Sequence, residues 1–225
     1  MNTLNITFDF ETCALCPTAA VMSVGAVAWR GDAVQSPFFL NKEELGAASP
    51  IVFYRHVDLR SMFVDGFTFD AATGEWWARQ DRQAKQAVLD ADECPLAAID
   101  VVISDFFSWM NTVKESFGFD DACLWSQGSD FDIAILKNIC HKHNLSLPVC
   151  YKNFRDHRTF YMESARIICA TAGVDFEPKK AYTLVDDFEE IGVPHNPVYD
   201  CKMSIWSTWQ IMKHLRCLSD PSKNV

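Results

Sequence analysis

Residues 4–40 alternate between apolar and polar runs in the way that β-strands do. Residues 4–10 (LNITFDF) place apolar and polar side chains on opposite faces, which predicts a strand. Residues 21–29 are almost wholly apolar and predict a second strand, and residues 37–40 are predicted to be part of a third. Gly31 and Asp32, between these two runs, are a turn signal, so we expect a hairpin here.

Beyond residue 74, apolar positions recur at helical spacing. Gly118, Asn144 and Gly173 stand where three of these stretches should end, and Pro95 stands near the first turn of one. Helices are predicted over residues 76–89, 95–117, 131–143, 159–172 and 198–215, and short strands over 122–125 and 149–153. The polar stretch 41–74 has no clear pattern. Early strands followed by alternating helices and strands predict an α/β domain with a mixed sheet.

The length and composition fit a single domain, which we place at residues 1–218, followed by a flexible tail over 219–225. The chain has 225 residues, of which 49% are hydrophobic, so it can bury a substantial core. With 20 basic and 30 acidic residues its formal net charge is −10, which argues against a broad basic face that wraps duplex nucleic acid. Acidic clusters that hold metal ions remain compatible with this charge.

One window of the sequence departs from the acidic average. Residues 137–166 contain six Lys or Arg and three His against two acids, a local net charge of +4 with neutral histidines. Such a window is either a solvated face or a strip that contacts phosphates.

The cysteines and the apolar runs predict where the protein resides. No apolar run is long enough to span a membrane, and the N-terminus lacks the pattern of a signal peptide. Nine scattered cysteines therefore predict reduced thiols in the cytoplasm. Cys13 and Cys16 form a C-x-x-C pair, for which a redox or zinc role is the alternative, although no second cysteine pair has ligand spacing.

Two carboxylates share one face of the first strand. Asp9 and Glu11 are two residues apart, so they point to the same side, while Phe8 and Phe10 point to the other. Neighbouring carboxylates repel each other unless a cation lies between them, and Mg²⁺ and Mn²⁺ take such oxygens. A D-x-E pair is a short motif, and on its own it is a weak signal.

Two further acidic motifs stand where an element begins. The stretch WSQGSDFD runs from a strand end through a glycine turn into a helix, which makes Asp130 and Asp132 candidates; Ser129 with Asp132 also fits a capping box. In HNPVYD, Asn196 is a good N-cap, so His195 lies just outside the last helix and Asp200 one turn inside it. The alternative is a surface histidine with an acid that stabilises the helix dipole.

Taken together, these motifs resemble the DEDDh branch of the DnaQ-like 3′→5′ exonucleases, which have an RNase H-like fold. The match is carried by Asp9 and Glu11 in FDFET, Asp132 after Phe131, and His195 and Asp200 in HNPVYD. Within the branch, the sequence looks most like the phage and bacterial DexA-like group, supported by GEWWARQ (74–80) and FRDHRTF (154–160). The resemblance runs from about residue 4 to 215. It implies the RNase H-like fold, and a homodimer is a further family-level expectation.

The resemblance also implies a mechanism. The four acids (Asp9, Glu11, Asp132 and Asp200) would hold two Mg²⁺ or Mn²⁺ ions about 3.5–4 Å apart. His195 would act as general base, a role suited to a side chain with a pKa of about 6.5. The substrate would be a single-stranded or frayed 3′ end of DNA or RNA, and the product a nucleoside 5′-monophosphate. Nothing in the sequence distinguishes DNA from RNA.

Four other side chains are candidates for substrate binding. Trp76 and Trp77 point about 100° apart on a helix, so at most one is expected deep in the core and the other could stack on a base. Arg155 and Arg158 flank Asp156 and either pair with it or contact the substrate backbone.

Three other functions compete with the exonuclease. An RNase H-like endonuclease shares the carboxylates but not the H-x4-D motif. A non-catalytic binding module on the same fold would be expected to have lost one of the five site residues. A thiol redox protein rests only on Cys13 and Cys16.

Overall fold

The computed structural model describes residues 3–39, 50–89, 95–177, 188 and 192–219. A 3-10 turn, Tyr151–Asn153, precedes the last strand. The other elements are, in chain order, β1 (Thr3–Thr12), β2 (Val21–Trp29), β3 (Val52–His56), α1 (Leu59–Val64), α2 (Ala71–Arg79), α3 (Arg82–Leu89), α4 (Ile99–Ser116), β4 (Asp121–Ser126), α5 (Asp132–Lys142), β5 (Phe154–Asp156), α6 (His157–Ala172) and α7 (Pro197–Ser219).

The strands form one mixed sheet in the order β3-β2-β1-β4-β5. β2 is antiparallel to both of its neighbours, whereas β1, β4 and β5 are parallel to one another. The carboxyl ends of these three parallel strands therefore meet at one edge of the sheet, where ligands collect in α/β proteins. The predicted α/β class with a mixed sheet is confirmed.

Alternation along β1 divides the molecule into two layers of helices. Phe8 packs on α4, with its ring centroid 5.9 Å from that of Phe106. The adjacent residue Thr7 points to the opposite face of the sheet, where its hydroxyl is 2.9 Å from Nε2 of His157 on α6. Because side chains two apart share a face, Asp9 and Glu11 lie on the α6–α7 side of the sheet.

The predicted third strand over residues 37–40 is wrong for the residues that the structure describes. Residues 37–39 form bends, and Leu40 lies outside the described residues. The run is apolar because Phe38 is buried in the core, not because it pairs with β2. On the side of β2 away from β1, the pairing strand is β3, which lies in the stretch 41–74 that has no clear pattern.

Two predicted helix boundaries also change. The helix over 76–89 is two helices, because Asp81 interrupts it and its side chain accepts a hydrogen bond from the backbone N–H of Ala84, a new start. The helix predicted from Pro95 begins at Ile99. The strand predicted over 149–153 is instead the 3-10 turn, with β5 directly after it.

The last helix extends to Ser219, the first residue of the predicted tail, and the rest of that tail lies outside the described residues. Among the described helices, none is both long enough and apolar enough to cross a membrane.

Candidate active site

The first motif lies near the carboxyl end of the central strand β1. Asp9 is paired with Gly25 on β2, and Glu11 with Ser23. The register shifts between Glu11 and Thr12, an irregularity of the kind that re-aims side chains at the rim of a sheet. Glu11 is only 8% exposed, so its carboxylate is largely removed from water.

The second motif places Asp132 in the first turn of α5. Its Oδ1 accepts a hydrogen bond from the backbone N–H of Phe10 at 3.3 Å, which ties α5 to β1 between the two acids of the first motif. The capping box with Ser129 does not form, because the N–H of Ser129 donates to Asp156 instead. Asp132 is 2% exposed, whereas Asp130 points to solvent.

The third motif forms the start of α7 as its sequence predicts. The side-chain oxygen of Asn196 accepts hydrogen bonds from the N–H groups of Val198 and Tyr199, so it is the N-cap. The N–H of His195 donates to Oδ2 of Asp200 at 3.1 Å. His195 has a φ of +65°, a left-handed conformation that is uncommon for residues other than glycine and clusters at functional sites.

These three elements bring the five motif residues together. Ligand atoms of Glu11, His195 and Asp200 all lie within 4.8 Å of one another. Asp9, Asp132 and Asp200 line a cavity of about 590 Å³ at the carboxyl edge of the sheet. The carboxylates are thus contributed by β1, α5 and α7, which are far apart in sequence.

The cluster is electrostatically costly without a cation. Burial, and then repulsion from Asp200 and Asp132, raises the pKa of Glu11 to about 8. Burial raises the pKa of Asp132 to about 7, although the Phe10 N–H opposes the rise. The pKa of Asp9 is also raised well above its usual value, by burial and then by Asp132 and Glu11. The pKa of Asp200 is raised by burial and lowered in part by His195.

Divalent cations fit this set of side chains. The donors are carboxylate oxygens, which Mg²⁺ and Mn²⁺ prefer, with one imidazole within reach. A bound cation would favour the charged form of these carboxylates and so oppose the rise in their pKa values. Ser23, fully buried opposite Glu11, has a hydroxyl without a hydrogen-bond partner among the described residues. We infer from the donor chemistry that the residues present suit such ions.

A glycine allows α7 to approach the sheet at this point. A Cβ on Gly25 would lie 2.6 Å from the carbonyl carbon of Pro197 and 2.7 Å from the nitrogen of Val198. Any side chain at this position would push the start of α7 away from β1, and with it His195 and Asp200. The sequence carried a signal for this, since a lone glycine inside a strand often marks close approach of another backbone.

The two candidate tryptophans both lie beside His195, but their environments differ. Trp77 is 9% exposed, and its Nε1 donates to the Thr12 carbonyl at 2.9 Å. Trp76 is 42% exposed, and its ring centroid lies 4.9 Å from that of His195, in an edge-on contact. Trp76 is therefore the one with open ring surface for a nucleotide base.

The two candidate arginines, Arg155 and Arg158, also lie in different environments. Arg158 is exposed and lines the cavity, where its guanidinium is 3.4 Å from the Gln127 carbonyl. Arg155 is not among the cavity residues, and its guanidinium donates to the carbonyls of Lys152 and Phe154 on its own segment. Neither is paired with Asp156, whose carboxylate instead caps α6 through the Thr159 N–H.

The cavity contains polar residues that the sequence motifs did not indicate. Gln127 and Ser204 are joined by a hydrogen bond of 2.5 Å on its rim. His157 forms the floor, bound to Thr7 and, at 2.6 Å, to the Thr208 hydroxyl. Burial lowers the pKa of His157 to about 3, so it is a neutral structural link rather than an acid or base. These residues have no short motif that would have revealed them.

The C-x-x-C pair lies in the loop after β1. Cys13 and Cys16 are both free thiols, and the Cys16 sulfur is 3.3 Å from the Thr18 hydroxyl. Among the described residues, the one group of three or more potential metal ligands is Glu11, His195 and Asp200. The zinc alternative for Cys13 and Cys16 therefore finds no support in the described part of the chain.

Comparison with known families gives one match across nearly the whole chain. The family model for the 3′-5′ exoribonuclease Rv2179c-like domain matches residues 4–212, a range that contains all five motif residues. No curated protein matches the sequence.

Two solved structures are similar in fold. Cell-death related nuclease 4 (CRN-4) is 15% identical with a TM-score of 0.59, covering 95% of this chain and 64% of that one. The chain thus spans less than two thirds of that relative's length. The nuclease domain of 3′hExo, a DEDDh family member bound to rAMP, is 16% identical with a TM-score of 0.47, covering 97% of this chain and 93% of that one. The predicted RNase H-like fold is confirmed.

Proposed function

The chain belongs to the family of Rv2179c-like 3′-5′ exoribonuclease domains, and we propose that it removes nucleotides one at a time from the 3′ end of a single-stranded nucleic acid. The observation that supports this most directly is a cluster built from three distant elements: Asp9, Asp132 and Asp200 line one cavity, and Glu11 and His195 lie beside Asp200. A structural role would not require four acids whose pKa values are all raised by burial, with repulsion from neighbouring carboxylates adding to the rise at Asp9 and Glu11.

Asp9, Glu11, Asp132 and Asp200 are proposed to hold two Mg²⁺ or Mn²⁺ ions. When bound, such ions activate a water molecule and stabilise negative charge on a phosphodiester. Asp132 is held at its place by the Phe10 N–H, and Asp200 by the N–H of His195. The protein thereby fixes the orientation of both carboxylates before any ion binds, which lowers the cost of assembling the site.

His195 is proposed as the general base. Its imidazole lies within 4.8 Å of the Glu11 and Asp200 oxygens, where it can take the proton of the attacking water. As the water oxygen bonds to phosphorus, the bond from phosphorus to the 3′-oxygen of the preceding nucleotide breaks. That oxygen leaves as a hydroxyl after taking up a proton, and a nucleoside 5′-monophosphate is released.

Substrate contacts are proposed on both sides of the carboxylates. Trp76 offers an exposed ring beside His195, on which the terminal base can stack. Arg158 offers a guanidinium on the other side for a backbone phosphate. Arg155, held to its own segment, would act at a greater distance, and Trp77 would support Trp76 and His195 from below.

The substrate is proposed to be a single-stranded or frayed end of RNA or DNA. The DexA-like subgroup, the homodimer, the cytoplasmic location and the single domain over 1–218 stay predictions of the sequence.

The proposal is tested with 5′-labelled single-stranded RNA and DNA. We expect a ladder of products shortened from the 3′ end with Mg²⁺ or Mn²⁺, and no ladder with EDTA. The variant Asp9→Ala should lose hydrolysis, while its circular dichroism spectrum stays unchanged and its thermal unfolding stays cooperative. A matched control is Asp130→Ala, which removes an exposed acid two residues from Asp132 and should keep full activity.

Two results would contradict the proposal. Full activity of Asp9→Ala would remove the carboxylate cluster from the chemistry. Internal cuts without a 3′ ladder would indicate the RNase H-like endonuclease instead.

A further inference from the structure

The segment that leads into β5 presents an exposed aromatic ring on a rigid support. The Tyr151 side chain is 84% exposed, although it lies in the ordered 3-10 turn before the strand. Asn153 in the same turn is buried, and its amide donates to the Asp121 carboxylate at 2.7 Å and to the Ala122 carbonyl at 3.2 Å. The turn is therefore fixed to β4 while Tyr151 is held out in solvent.

Three cationic side chains belong to this segment or contact it. Lys152 follows it directly and is exposed, and the Arg155 guanidinium donates to the Lys152 carbonyl at 2.6 Å. Lys137 on α5 reaches the same edge, with its ammonium 4.7 Å from the Phe154 ring. The acid nearest in sequence, Asp156, is already used by the N–H groups of Thr159 and Ser129.

The same segment ends at the active site. β5 is parallel to β1 and two strands away, and the helix that follows it carries Arg158 into the cavity. Phe154 is level with Ile6 across the sheet, so at about 4.8 Å between strands and about 3.3 Å per residue Tyr151 lies on the order of 20–25 Å from the carboxylates.

We propose that Tyr151, Lys152 and Arg155 form a second binding surface for the single strand, reached by nucleotides upstream of the 3′ end. A base stacks on the Tyr151 ring, while Lys152 and Arg155 contact neighbouring phosphates. Stacking on an aromatic ring between cations is how single strands are bound without sequence preference. This inference rests on the proposed exonuclease function and names the path that its substrate takes.

The surface predicts a dependence on substrate length that the catalytic site alone does not. A dinucleotide fills only the cavity, whereas a strand of twelve nucleotides can reach Tyr151. We compare the ratio of kcat/KM for these two substrates in the wild type, Tyr151→Ala and Tyr151→Phe. Phe63→Ala is the matched control, because Phe63 is also an exposed aromatic (74%) but lies on α1, next to the acid Asp65.

We expect Tyr151→Ala to lower kcat/KM for the 12-mer about 5- to 150-fold, the range that stacking of one base supplies, with the dinucleotide unchanged. Tyr151→Phe and Phe63→Ala should keep the wild-type ratio. Lys152→Ala should reduce the slope of log binding constant against log salt by about 0.7 for the 12-mer. Equal losses on both substrates, or no loss on the 12-mer, would overturn the inference.

Binding measured without hydrolysis separates this inference from the proposed function. The anisotropy of a fluorescein-labelled 12-mer is followed with each variant, in Ca²⁺ and in EDTA. If the wild type hydrolyses neither substrate, the exonuclease proposal fails. The second surface then stands or falls on whether Tyr151→Ala weakens this binding more than Phe63→Ala does.

Discussion

Replacing Glu11 by glutamine should stabilise the metal-free protein at high pH, although it removes a proposed metal ligand. Burial and two neighbouring carboxylates raise the pKa of Glu11 from 4.5 to about 8. The folded state therefore holds a proton that the unfolded state releases between these values. Because the folded state binds more protons in this window, the free energy of unfolding falls as the pH rises from about 4.5 to 8.

The size of the effect follows from the same two pKa values. A difference from 4.5 to about 8 corresponds to a loss of about 4 kcal/mol at pH 8, at about 1.4 kcal/mol per pH unit. This is an upper limit, because Glu11 shares the repulsion with Asp132 and Asp200. For a chain of this length, each kcal/mol shifts Tm by about 2–4 °C. Glu11→Gln should thus raise Tm by up to about 8–16 °C at pH 8 in EDTA and leave it nearly unchanged at pH 4.5.

The assay is thermal unfolding in EDTA between pH 4.5 and 8.5, repeated with Mg²⁺ or Mn²⁺. The wild type should gain stability with either ion at pH 8, and Glu11→Gln should gain less. Glu75→Gln is the control, since Glu75 is an exposed acid on α2 with an ion pair to Arg79. If Tm changed with pH in the same way for the wild type and Glu11→Gln, the view that burying these carboxylates without a cation destabilises the fold would be refuted.

Three further substitutions test individual parts of the site. His195→Ala should lower kcat about 10²–10⁴-fold with the binding of Mn²⁺ retained, as measured by titration calorimetry, and an unchanged kcat would exclude it as the base. Gly25→Ala should lower both Tm and activity, because its Cβ would lie 2.6 Å from the carbonyl carbon of Pro197. Ala26→Gly, on the opposite face of β2, is the control. Normal activity of Gly25→Ala would contradict the close packing of α7 on the sheet. Trp76→Ala should raise KM about 5- to 150-fold on short single strands, whereas an unaltered KM would exclude base stacking.

The candidate site residues could be proposed from the sequence because each stands in a local pattern whose geometry is set by the backbone. A D-x-E pair on a strand shares a face whatever the rest of the chain does, and Asn196 followed by Pro197 starts a helix at that place. The family predicted from these motifs, one of 3′→5′ exonucleases, is confirmed by the family match. The roles of the individual residues stay predictions.

What could not be predicted depends on partners distant in sequence. β3 has only five residues, and its Phe53 packs against Phe106 and Trp109 of α4, a contact that no local pattern encodes. The apolar run 37–39 looked like a strand because burial of Phe38 gives the same pattern as pairing. The different positions of Arg155 and Arg158 likewise depend on where β5 ends and α6 begins, because Arg155 lies on the strand and Arg158 on the helix that follows it directly.

The net charge of −10 and the proposed substrate are reconciled by where the charges lie. The four acids of the cluster are the ones that burial makes costly, and two divalent cations would neutralise them. Five of the six cations of the window 137–166 lie on α5, β5 and α6 and the sixth, Lys152, lies in the turn before β5, whereas the rest of the chain has a net charge of −14. A polyanion can therefore approach these carboxylates along one side, toward Arg158 and Tyr151. Reversing that asymmetry with Arg155→Glu and Lys152→Glu should slow a 12-mer and spare a dinucleotide, which a uniform charge effect would not do.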